Sequence, residues 1–173
     1  MATLTNLEFA PFGPYRFIGK SVYARAGAQY SGQIFGSVWG SSAWIFEALG
    51  KISEYASDEP HDVALLTGDL YEEQKKLLGY TVGRFMKPDA PIPDGMDFFD
   101  IPATHVAKGW VTGLFDDMIS SAERLTSEAI KAQSEYSPDW SVTAEVYTKD
   151  TMPDGAVSSV LGYYIGCRKT EEK

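Results

Sequence analysis

A single cysteine, Cys167, rules out an intramolecular disulfide framework. The two histidines, His61 and His105, stand alone, and no C-x-x-C or H-x-x-x-H spacing occurs, so no metal site can be read. Glycine-rich phosphate loops and the G-x-S-x-G elbow are also missing, and no cofactor is expected. Basic residues are few: 15 Lys and Arg face 24 Asp and Glu, giving a net charge of −9. The arginines are scattered at Arg16, Arg25, Arg84, Arg124 and Arg168 rather than gathered in a stripe. That excludes direct nucleic-acid binding, and the acidic balance favours cationic over anionic ligands. Long apolar runs are lacking too, and the N-terminus has neither a basic stretch nor a long apolar one. The expectation is a cytoplasmic protein without a membrane segment.

Aromatic side chains are plentiful: four Trp, ten Tyr and nine Phe, more than a core in 173 residues needs. Such a surplus suits either a generous core or a ring-lined pocket. The chain also repeats itself. Leu78-Gly79-Tyr80-Thr81-Val82-Gly83 returns 83 residues later as Leu161-Gly162-Tyr163-Tyr164-Ile165-Gly166. The same offset puts Asp62-Val63 on Glu145-Val146 and Ala24-Arg25 on Ala107-Lys108.

Periodicity predicts strands over 16–26, 62–68, 77–86, 101–111, 140–149 and 159–168. Amphipathic helices are predicted over 33–54 and 113–135. The reading is an α+β single domain over 1–173, made of two βαββ repeats at about 16–86 and 98–169. A pseudo-twofold would relate them, with an antiparallel sheet, helices on one face and a ligand groove between the halves. A linker with three prolines and an Asp94-Gly95 turn joins them, 29–32 reads as a loop, and 170–173 as a charged tail.

Strand alternation assigns faces. Ala144 and Val146 are expected toward the helix, leaving Thr143, Glu145 and Tyr147 opposite it. Leu161, Tyr163, Ile165 and Cys167 form the core phase, with Gly162, Tyr164, Gly166 and Arg168 opposite. Low glycine walls would then leave Tyr164 in open space, and Tyr23 and Trp110 fall in the phase opposite Ala24, Ala107 and Gly109. Glu145 stands out as a carboxylate in mid-strand. Among aromatic walls it could bind a cation or serve as an acid or base; on an open face it would be solvated.

Several short motifs occur in a familiar order: Gly79-Tyr80-Thr81-Val82-Gly83, Ile92-Pro93-Asp94-Gly95-Met96, Ile101-Pro102-Ala103, Gly113 before the second helix, Ala144-Glu145-Val146-Tyr147 and Tyr163-Tyr164-Ile165-Gly166. With this order and spacing the chain, from about residue 16 to 169, resembles the GyrI-like small-molecule-binding family. That family includes the effector-binding domains of AraC-type and MerR-type drug-sensing regulators. The resemblance implies two βαββ units around a groove, Glu145 as the pocket glutamate, and Tyr147 and Tyr164 as pocket side chains. No helix-turn-helix segment is read before residue 16, so the effector-binding portion alone is expected. Gly166 departs from the proline common in the family at that place.

The leading expectation is a monomeric binding protein for flat, often cationic, xenobiotic molecules, lined by Tyr23, Trp110, Glu145, Tyr147 and Tyr164. The alternative is a hydrolase of strained, cyclopropane-bearing xenobiotics, with Glu145 as general base and Tyr147 in support. Haem binding is disfavoured by the isolated histidines, and a protein partner such as a topoisomerase is a further reading.

Overall fold

A computed structural model describes residues 1–25, 31–67, 77–151 and 159–170. Of the loop expected at 29–32, residues 29 and 30 lie outside these, while Ser31 and Gly32 instead begin a helix; of the tail at 170–173, residues 171–173 lie outside. The fold is α+β, and its strands pair antiparallel throughout the registers given below. Contacts divide the chain into two units. A terminal unit comprises Met1–Gly13 and Ala103–Lys173, and a central unit comprises Pro14–Pro102.

The terminal unit orders its strands β1 (Thr3–Phe12), β6 (Thr104–Gly113), β8 (Ser159–Lys169) and β7 (Tyr136–Tyr147). Helix α3 (Phe115–Lys131) lies on one face. Its apolar stripe of Met118, Ala122 and Ile130 covers Ala107, Val111, Leu161, Tyr163, Ile165 and Cys167. Asp116 and Asp117 in the first turn and Lys131 in the last complement the helix dipole. The helix starts two residues later than expected, at Phe115, and Leu114 ahead of it is 52% exposed.

The central unit orders β3 (Asp62–Thr67), β4 (Leu77–Met86), β2 (Tyr15–Arg25) and β5 (Asp97–Ile101). The single helix expected over 33–54 is two, α1 (Ser31–Gly40) and α2 (Ala43–Gly50), followed by one 3-10 turn at Ser53–Tyr55. Serine hydroxyls explain the break. Ser41 Oγ donates to the Ser37 carbonyl at 3.1 Å and Ser42 Oγ to the Trp39 carbonyl at 2.8 Å, at a point where Gly40 adds no helix propensity.

Two strands escaped the sequence reading, β1 and β5, and each occupies one end of its unit's strand order. The constant 83-residue offset also fails in register. Tyr80 faces Val22 and Leu66, whereas Tyr163 faces Gly109 and Glu145. An alignment of Tyr80 with Tyr163 by strand pairing would set Glu145 against Leu66 rather than Asp62, and Gly109 against Val22. The loops between strands differ in length, so an ungapped match holds only within β4 and β8.

Candidate functional site

Strand β7 delivers two of the nominated residues to one place. Glu145 and Tyr147 are two apart, so both project from the same face. Tyr147 Oη donates to Glu145 Oε2 at 2.9 Å, and both side chains are half-buried. Glu145 pairs in register with Tyr163 of β8, which puts their Cβ atoms about 4.5–5.5 Å apart. Tyr163 is 3% exposed and donates its hydroxyl to Glu123 Oε2 of α3 at 3.0 Å. The result is two carboxylates, each held by a tyrosine, beside an apolar core. A hydroxyl donated to a carboxylate oxygen holds the orientation of that side chain.

This face is the one that carries α3. Tyr147 packs against the helix-covered core with Leu161, its register partner. The expected phase of β7 is thus reversed: Glu145 shares a face with Tyr163, not with Tyr164. Apolar alternation misled because both faces of the sheet are buried here. Val142, Ala144 and Val146 are at most 2% exposed on the face away from α3. The register shift between Pro138 and Thr143, with Trp140 at φ 60°, disrupts the pairing just ahead of these residues.

Trp110 and Tyr164 lie on that second face. They meet edge to face at 6.1 Å, and Phe12 meets Tyr164 edge-on at 6.2 Å. Lys108 Nζ lies 5.1 Å from the Tyr164 ring centre and 5.9 Å from that of Phe12. Tyr164 does not stand in open space: it is 1% exposed. The glycine expected to keep the wall low, Gly162, is roofed by Trp110, whose ring carbon would sit 3.1 Å from any Cβ placed there. Tyr23 belongs to the central unit, opposite Gly79 on the face away from Tyr80 and α1, and is 46% exposed. The structure therefore joins Glu145 to Tyr147 and Trp110 to Tyr164, on opposite faces of one sheet.

Sequence reasoning missed Glu123 and assigned Tyr163 to the core alone. The available signal was a tyrosine in the apolar phase of a helix-covered strand, whose hydroxyl needs a polar partner on that helix. Among the described residues no three His, Cys, Asp or Glu side chains converge on a point where a metal ion could sit. Burial, with the Asp139 charge adding to it, pushes the Cys167 thiol up to about 11, so it remains protonated and inert at neutral pH. No helix among the described residues is long and apolar enough to cross a membrane.

No protein-family profile and no curated protein sequence matches the chain. Solved structures match in fold. SAV2435 bound to tetraphenylphosphonium superimposes with a TM-score of 0.66 at 7% identity, over 95% of this chain and 94% of that one. A candidate bacterial transcription regulation protein from Staphylococcus aureus MU50 gives 0.64 at 9% identity, over 94% and 98%. Integron cassette protein VCH_CASS2 from the mobile metagenome of Vibrio cholerae gives 0.57 at 9% identity, over 96% and 99%. At these identities the likeness is one of fold.

Proposed function

We propose that the chain is a stand-alone binding protein of the GyrI-like type for bulky, cationic aromatic compounds, with Glu145 supplying the counter-charge. The observation that carries this reading is the half-buried Glu145 carboxylate, hydrogen-bonded by Tyr147 at 2.9 Å and paired in register with Tyr163. Tyrosine faces attract a delocalised cation, and a fixed carboxylate nearby adds charge with little reorganisation. A net charge of −9 favours the same ligands, and one protein of this fold was solved with tetraphenylphosphonium. The reading needs Glu145 and Tyr147; it does not need Tyr23, Trp110 or Tyr164. We also read the two units as diverged copies of one βαββ element. The terminal order β1-β6-β8-β7 parallels the central order β5-β2-β4-β3, with helix between corresponding strands.

Hydrolysis with Glu145 as general base would use the same pair. Consumption of the compound over hours, rather than its retention, would mark hydrolysis. Calorimetric titration with tetraphenylphosphonium and its neutral analogue triphenylphosphine oxide tests the reading. The cation should bind more tightly, and Glu145→Gln should cost it about tenfold or more while leaving the neutral analogue unchanged. Equal affinities of wild type and variant for the cation, within about twofold, would remove Glu145 from the site.

A further inference from the structure

Two arginines of the central unit are stacked on phenylalanines, and they differ in what they leave unused. Arg16 lies over Phe98 with Cζ 5.0 Å from the ring centre. Its Nε and Nη2 donate to the two Asp100 carboxylate oxygens at 2.7 and 3.2 Å, and its Nη1 to the Ala90 carbonyl at 3.0 Å. Every nitrogen of that guanidinium is occupied within the unit. Arg84 lies over Phe46 of α2, also with Cζ 5.0 Å from the ring centre. Only its Nε is used, donating to Asp62 Oδ1 at 2.7 Å, and the side chain is 32% exposed. Among the described residues neither Nη atom has a hydrogen-bond partner.

We infer that Arg84 is an oxyanion receptor, taking the carboxylate, sulfonate or phosphate group of a small aromatic anion. A guanidinium offers its donors as a planar fork that fits two oxygens of such a group, and its use depends on how well the fork is held. Here it is held twice, by Asp62 at Nε and by the Phe46 ring beneath it. Asp62 is a positioning residue in this arrangement. It leaves both Nη atoms for a ligand and, with the Phe46 ring, restrains the side chain. Trp39 stacks on Phe46 at 6.2 Å and 26°, so apolar surface continues from the cation. That surface selects an aromatic anion over a plain inorganic one. The overall charge of −9 opposes anions at long range, but at physiological salt that field fades over about 8 Å. The local cation then decides.

The probe is naphthalene-1-sulfonate, compared with neutral 1-naphthalenemethanol, titrated calorimetrically into the full chain at physiological salt. For a ligand of this size a Kd of about 1 mM is expected. Arg84→Gln should weaken the sulfonate about tenfold and leave the neutral alcohol within twofold. Arg84→Lys keeps the charge without the fork and should recover less than half of that loss. Asp62→Asn should weaken the sulfonate by a smaller factor, again without touching the alcohol. Glu145→Gln should not alter sulfonate binding, which separates this site from the cation site. Absence of sulfonate binding to wild type at about 10 mM would overturn the inference, as would Arg84→Gln or Arg84→Lys binding it as well as wild type. A melting curve for each variant establishes folding, and should the Gln variant fail to fold, the Lys variant decides alone.

Discussion

Thr126 of α3 is fully buried, and its hydroxyl has no hydrogen-bond partner among the described residues. It sits against Gly109 of β6, where a Cβ would come within 2.3 Å of Thr126 Oγ1. Helix and sheet approach closely at this point because β6 has no side chain there. Replacing the hydroxyl by a methyl removes a desolvated polar group while keeping the shape, so Thr126→Val should raise stability by about 1 kcal/mol. Chemical denaturation of the two proteins would show it as a higher midpoint at unchanged slope, and a lower midpoint would mean the hydroxyl is satisfied in solution. At this scale the sequence was half legible. Glu145 could be picked out because a mid-strand carboxylate is costly without a partner, and the partner Tyr147 is two residues away. Its face could not, since Val142, Ala144 and Val146 form an apolar phase that is itself buried on the side away from the helix.

Among the elements, α1 stands out for how little its own sequence supports it. It has no acidic residue in its first turn and no basic one in its last, and it contains Gly36 and Gly40. Neither glycine is there for room, since a Cβ at either position meets nothing within 4 Å. What holds α1 down is packing: Phe35 stacks on Tyr80 at 4.4 Å, and Trp39 Nε1 donates to Tyr80 Oη at 2.9 Å. Gly36→Ala should therefore stabilise the protein by about 0.5–1 kcal/mol, because alanine suits a helix and restricts the unfolded chain. A melting temperature that falls on substitution would show that the glycine serves some strained conformation instead. The central strands β4 and β8 were readable from their own alternation. β5 was not: Asp97-Phe98-Phe99-Asp100 has no clear period and is short. β1 carries Pro11 and ends at a Gly-Pro turn, so its sequence punctuates like a loop while its partner lies far along the chain.

For the whole molecule, acidity is the dominant bulk property, with 24 carboxylates against 15 basic side chains. Of the described carboxylates, Asp100 is held below its ordinary value by the hydrogen bonds from Arg16 that tie β5 to β2. A depressed carboxylate stabilises the fold above its unfolded value, and that contribution disappears as the pH falls through the folded one. Asp100 is 59% exposed, so the effect is small. Wild type should melt slightly above Asp100→Asn at neutral pH, and the gap should close as the pH falls below the ordinary aspartate range. A gap that persists in acid would show that the pair acts through packing of Arg16 on Phe98 rather than through charge.

The terminal unit also sets the order in which the chain can assemble. Thr5 donates to the Trp110 carbonyl at 3.0 Å across 105 residues of sequence, and the rest of β1 pairs with β6 over similar separations. During synthesis β1 leaves the ribosome long before its partner exists, while the central unit between them can already close. Leu4, Leu7 and Phe9, which later cover the α3 core, must wait in solvent, and contacts this far apart in sequence form slowly. The irregular pairing between Leu4 and Asn6, the charge of Glu8 and the ring of Pro11 make the waiting strand a poor template for another chain. The same features that hid β1 from a sequence reading protect it until its partner arrives.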